Sequence, residues 1–173
     1  MQPFAPLLRV HDWESNQEWR MTHHILVAEP GNDTWTSIAH GLRRYEPQAT
    51  ILRVKDGEQA MRFLFQRGLL MEEPETPDTI VLNSQLPIVP MNAVMARLRQ
   101  HPRTQTIPVI VISRDTRDDT DDDASESQQW LHRHAGVIVI TGKQKLEKEV
   151  ADAMHRLSAK SRPVADSELT GAR

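Results

Sequence analysis

Short apolar runs rich in β-branched residues alternate along this chain with longer stretches in which apolar positions recur every three or four residues. The runs "HILVAEP" (24–30), "ATILRV" (49–54), "TIVL" (79–82), "IPVIVIS" (107–113) and "GVIVIT" (136–141) are of the type that forms strands buried on both faces. Between the first two, "NDTWTSIAHGLRRYE" places Trp35, Ile38, Leu42 and Tyr45 at helical spacing, with Asn32 or Asp33 positioned to cap its start. A second helix is predicted over "DGEQAMRFLFQRG", ending near Gly68, and "LLMEEPETPD" reads as a polar, proline-bearing loop. A third helix is predicted from Met91 to Gln100, with Met91, Val94, Met95 and Leu98 on one face. A short helix around Trp130 follows. The last helix, Lys145 to Lys160, presents Leu146, Val150, Ala153, Met154 and Leu157 to the core.

Five strands alternating with five helices predict an α/β fold: a doubly wound, five-stranded parallel sheet of flavodoxin-like order, covered on both faces. The most apolar strand, "IPVIVIS", is expected near the sheet centre. Functional groups in such sheets gather at the carboxyl ends of the strands. Here that edge collects Ala28 and Glu29, Asn83, Ser113 and Lys143.

Composition narrows the picture without redirecting it. A chain of 173 residues with 38% hydrophobic and 26% charged residues suits one domain with additional residues at its ends. The formal net charge of −3 gives no electrostatic reason to expect nucleic acid. Absence of cysteine removes disulfides and thiolate chemistry. No apolar run approaches the roughly 20 residues that cross a bilayer. The start "MQPFAPLLRVHDWESNQ" lacks the pattern of a signal peptide. A soluble cytoplasmic protein is expected.

The strand-end residues resemble those of the receiver domains of two-component response regulators. "ILVAEP" stands where that family has a strand ending in two acidic residues that hold Mg²⁺, and "KDGEQAMRFL" is similar to its second strand-to-helix junction. "TIVLNSQLP" parallels the phospho-acceptor strand and its proline loop. "IPVIVIS" ends in Ser113 where the family has a switching Ser or Thr, and Lys143 falls at its phosphate-contacting lysine. The long loop before the third strand, together with "LRQHPRTQTIPVIVIS", looks most like the stand-alone receivers associated with bacterial phytochromes. The resemblance implies residues 1–22 as an N-terminal extension, 23–160 as a receiver-like domain and 161–173 as a flexible tail.

The departures carry the functional expectation. Phosphoryl transfer to a receiver forms an acyl phosphate and requires a carboxylate nucleophile, whereas Asn83 carries a neutral amide. The Mg²⁺ that assists it is a hard cation seeking anionic oxygens in octahedral geometry. Two of the three expected carboxylates are missing, at Ala28 and Asn83, leaving Glu29. The aromatic residue that rotates with the switching hydroxyl is Ile140 here, and the proline after the lysine is Gln144. These substitutions imply a pseudo-receiver.

Other features have plainer readings. Lys143 suits a salt bridge to Glu29, and Ser113 a hydrogen-bonded strand end. The acidic run "RDTRDDTDDDASES" (114–127) lacks the turn glycine and terminal glutamate of a calcium loop and reads as solvated. His132 and His134 do not share a helical face, so no metal site is expected there; His23 and His24 are read as incidental surface histidines. Phe4, Leu7, Leu8, Trp13 and Trp19 are too apolar for an inert leader and suit docking on the domain or on a partner. Trp130 and Leu131, with Trp13 and Trp19, are candidate interface residues.

The sequence therefore predicts a non-enzymatic, non-phosphorylatable receiver that signals by protein–protein contact, with no cofactor. The resemblance implies a histidine kinase or phytochrome-like sensor as partner and a homodimer as the assembly. The length leaves no room for a DNA-binding output domain. A small-ligand sensor using the vacated strand-end pocket is the alternative. No Gly-rich phosphate loop or nucleophile–base pair supports an enzyme.

Overall fold

The computed structural model describes residues 22–66, 76–113, 136–141 and 145–161. Five strands, β1 (His24–Ala28), β2 (Thr50–Val54), β3 (Thr79–Asn83), β4 (Val109–Ser113) and β5 (Val137–Thr141), form one sheet in the order β2-β1-β3-β4-β5. All neighbouring pairs are parallel. The described helices are α1 (Asn32–Tyr45), α2 (Gly57–Phe65), α3 (Met91–Gln100) and α4 (Leu146–Ser161). The short helix predicted around Trp130 lies outside the described residues. The architecture is the doubly wound parallel sheet expected from the alternation.

The central strand is β3, and β4 lies beside it, near the centre as its apolar run predicts. After β2 the chain crosses back over β1, so β3 takes the middle and β4 lies one place from the edge. Apolarity does not separate the two, because β4 is also paired on both sides and buried along Val109–Ile112.

Strand alternation sorts the core into two layers. Leu26, Ile80, Leu82, Val109 and Val111 face α2 and α3, meeting Leu64, Val94, Met95 and Leu98. Ile25, Val27, Val81, Ile110 and Ile112 face α1 and α4, meeting Ile38, Leu42, Val150 and Met154. Each fully buried aliphatic side chain contributes about 1.5–3 kcal/mol relative to exposure. All five residues predicted for the inner face of the last helix are buried.

The helix starts show local choices. α2 is capped by Asp56, whose Oδ1 accepts from Gln59 N at 2.7 Å. α1 is capped by Gly31 without a side-chain bond, rather than by Asn32 or Asp33. Asn32 Oδ1 instead accepts from Arg53 Nη2 at 3.0 Å.

α1 and α4 approach closely at Gly41. A Cβ there would lie 2.4 Å from the carbonyl oxygen of Glu147 and 3.1 Å from Val150 Cβ. Gly41→Ala gains up to about 1 kcal/mol of helix propensity. It also forces backbone apart, at about 1–3 kcal/mol. The expected net result is a lower thermal midpoint, measured by circular dichroism; an unchanged or raised midpoint contradicts the close approach.

The amino-terminal edge of the sheet carries structural polar contacts. His23 bridges Glu46 through Nδ1 and Thr79 Oγ1 through Nε2, the latter at 3.1 Å. His24 is not a surface residue: it is buried in β1, because the strand begins there and its ladder places it between β2 and β3. Arg99 Nη1 donates to the carbonyls of Gln105 at 2.8 Å and Ile107 at 3.0 Å. Burial pushes its guanidinium below its ordinary pKa.

Candidate functional site

At the opposite, carboxyl edge, Glu29 follows directly on β1. Its backbone N–H donates to Val54 O at 3.0 Å, so the ladder to β2 continues one step past Ala28. The Glu29 side chain is fully buried, which is costly for an ionised group unless its oxygens find donors. Both oxygens do. Oε1 accepts from Gly31 N at 2.7 Å, and Oε2 accepts from Asn83 Nδ2 at 2.6 Å. These lengths fall at the short end for hydrogen bonds to a carboxylate.

Asn83 is the last residue of β3 and is 2% exposed. Its amide uses both ends. While Nδ2 donates to Glu29, Oδ1 accepts from Gln85 N at 2.7 Å, closing an Asx turn that starts the β3–α3 loop. One side chain thus ties the end of β1 to the first turn of that loop. Aspartate in the same place would lack the donor and set two carboxylates against each other.

The neighbours fit the same account. Ala28 is fully buried, and its methyl group joins the apolar layer with Leu26, Val54 and Leu82, supplying no ligand oxygen. Ser113 ends β4, half-buried, opposite Thr141. Ile140 is buried in β5 within the layer that contains Ile112, Leu146 and Val150. Lys143 and Gln144 lie outside the described residues, as do Trp13, Trp19, Trp130 and Leu131. The structure therefore brings together Ala28, Glu29 and Asn83, with Ser113 and Ile140 on the adjoining strands. Among the described residues no cluster of three or more His, Asp or Glu side chains is arranged to hold a metal ion.

At these strand ends Glu29 and Asn83 are in direct hydrogen-bonded contact. An apolar cavity of about 140 Å³ lies elsewhere, on the α2 side of β1 and β2, lined by residues including Leu26, Thr50, Leu52, Phe63 and Pro77.

Two supports were not singled out from the sequence. Arg53 donates through Nε to Glu29 O at 3.1 Å, and through Nη2 to Pro30 O at 3.1 Å and to Asn32 Oδ1. Its guanidinium also lies over the Trp35 ring, 5.2 Å from the centroid. This clamp fixes the β1–α1 loop around Glu29. A charged residue one place from the end of an otherwise apolar strand was the available signal. The second support is Gly57, whose N–H donates to Pro87 O at 3.2 Å and where a Cβ would come within 1.9 Å of Val89 O. Beside it Ile88 is 71% exposed with φ of 68°, a strained conformation for a β-branched residue.

The five-stranded parallel sheet in this order is the fold of the solved response regulator receiver domains to which the chain is similar. The phosphorylated cyanobacterial phytochrome response regulator RcpA is similar over 83% of this chain and 99% of its own, with TM-score 0.65 and 22% identity. The Mn²⁺-bound form of response regulator Rcp1 is similar over the same shares, with TM-score 0.63 and 22% identity. The bacteriophytochrome response regulator RtBRR covers 86% of this chain and 84% of its own, with TM-score 0.62 and 23% identity. No protein-family model matches the sequence, and no curated protein does.

Proposed function

We propose that this chain is a non-enzymatic pseudo-receiver: a receiver fold that is not phosphorylated and acts in signal transduction by protein–protein contact. The observation that carries the reading is the hydrogen bond from Asn83 Nδ2 to Glu29 Oε2 at 2.6 Å, with both residues buried. An amide donor stands where phosphoryl transfer needs a nucleophilic carboxylate oxygen. The same donor occupies an oxygen that a cation would need. Ala28, fully buried among aliphatic side chains, removes a further oxygen ligand. The surface at this edge is consequently fixed by internal hydrogen bonds instead of being switched by phosphate.

The neighbours named for phytochromes point to a histidine kinase or phytochrome-like sensor as the partner class. A homodimer is the proposed assembly, since a receiver fold that signals by contact acts through a surface and a two-fold pair supplies a closed one. Light scattering coupled to chromatography at micromolar concentration checks it. The expected mass is twice the 19.8 kDa of the chain, unchanged by phosphate analogues. A mass equal to the single chain rejects the dimer.

Metal binding tests the site directly. Mg²⁺ keeps octahedral oxygen coordination and gives up water reluctantly, so a single carboxylate already paired with two N–H groups is a poor host. Calorimetry with millimolar Mg²⁺ is expected to show no saturable isotherm. A clear isotherm that vanishes in Glu29→Ala overturns the reading.

A further inference from the structure

We propose that Asn83 is a latent deamidation site that the native hydrogen bonds hold closed. It rests on the pseudo-receiver reading for its consequence alone, because conversion of Asn83 to aspartate restores the missing acceptor carboxylate. The chemistry is intrinsic to the sequence. Asn83 precedes Ser84, a small residue that gives its backbone nitrogen little steric protection.

In an unconstrained chain the Ser84 nitrogen loses its proton and attacks Cγ of Asn83. A bond forms from that nitrogen to Cγ, the Cγ–Nδ2 bond breaks, and Nδ2 leaves as ammonia carrying the proton. Water then opens the resulting five-membered imide at either carbonyl, giving aspartate or isoaspartate. No oxidant or further reactant is needed.

The folded chain obstructs each requirement. The attacking nitrogen is engaged, since Ser84 N–H donates to Ile112 O at 2.9 Å as a continuation of the β3–β4 ladder. The carbonyl that must be attacked is fixed, because Oδ1 accepts from Gln85 N at 2.7 Å. The leaving nitrogen is fixed as well, donating to Glu29 Oε2 at 2.6 Å. With Asn83 2% exposed, water does not reach the imide carbonyls without opening the site. Closing the imide ring also requires turning the residue out of the extended β3 backbone. Cyclisation thus waits on opening of the β3–β4 ladder at its carboxyl end. Buried central strands are among the last parts of a domain to open. The amide at this position is preserved by the fold and exposed to loss on unfolding.

The test compares the full chain in native buffer with the same chain in urea, both at mildly alkaline pH. Peptide mapping by mass, with enzymatic methylation to detect isoaspartate, follows the Asn83 peptide. Conversion in urea is expected to be at least about tenfold faster than in the native protein. Ser84→Gly removes the residual side-chain hindrance and makes the unfolded peptide more labile, yet its native form is expected to keep Asn83 by the same margin. Circular dichroism on each sample confirms the folded state, and if Ser84→Gly does not fold, the unmodified chain decides alone. Native conversion within tenfold of the rate in urea overturns the proposal, and so does a chain that fails to convert in urea. These readouts contain no phosphorylation step, so their failure is distinct from failure of the pseudo-receiver reading.

Discussion

Incubated with acetyl phosphate and Mg²⁺, the chain is expected to gain no phosphoryl mass. An acyl phosphate requires attack by a carboxylate oxygen on phosphorus, and the group at the end of β3 is an amide whose oxygen already accepts from Gln85 N. The metal that assists the transfer is short of ligands as well. The charge developing on a transferring phosphoryl group needs a cation or preorganised donors. Glu29 is the one carboxylate of the expected three, and it is occupied by Gly31 and Asn83. Asn83→Asp alone is expected to restore little, because the metal still lacks an oxygen at Ala28. Asn83→Asp combined with Ala28→Asp is expected to restore measurably more, although burying aspartate in the layer of Leu26, Val54 and Leu82 lowers stability. Intact-mass spectrometry reads all three proteins. Phosphorylation of the unmodified chain, with Asn83 verified as an amide by peptide mass, overturns the proposed function.

Much of the fold was legible because buried parallel strands have few sequence solutions. β-branched runs such as "IPVIVIS" and "GVIVIT" are too short and too apolar for surface helices, and the intervening periodicity fixed the inward faces of α3 and α4 residue by residue. The flavodoxin-like order was legible too, with β4 near the centre beside β3. Side-chain contacts between distant segments were not. Nothing in "AHGLR" announces that Gly41 touches the Glu147 carbonyl, because that contact joins segments far apart in sequence. The first helix cap moved to Gly31 because Arg53, from another strand, claimed the Asn32 oxygen. At the site, the sequence supplied the identities Ala28, Glu29 and Asn83 and the chemistry they lack. It did not supply the positive arrangement: an amide oriented to serve a buried carboxylate at one end and a loop N–H at the other. That arrangement makes the strand end a structural lock between β1 and the β3–α3 loop.

The lock has a thermodynamic signature. Asn83→Asp is expected to be less stable than the unmodified chain at neutral pH, by about 3 kcal/mol. That magnitude follows from losing a hydrogen bond to a buried charge and leaving the charge unpaired. It corresponds to a drop of roughly 6–12 °C in the thermal midpoint for a chain of this size. The deficit should depend on pH with a definite sign. In the folded variant two carboxyl groups face each other at the position of the present 2.6 Å contact, in a place sealed from water. They share a proton, so the folded state holds one carboxyl well above the unfolded values of about 3.9 for Asp and 4.3 for Glu. Between those values and the raised one, the folded state binds more protons than the unfolded state. Stability of the variant therefore falls as pH rises through that window. Below the unfolded values the shared-proton contact is fully present, and the gap to the unmodified chain is smallest. The amide of Asn83 does not titrate, so this dependence belongs to the variant and survives subtraction of the unmodified curve. Thermal unfolding of both proteins across a pH series measures it. Equal stability at neutral pH, or a gap that widens on acidification, means that Asn83 does not serve Glu29 as a donor.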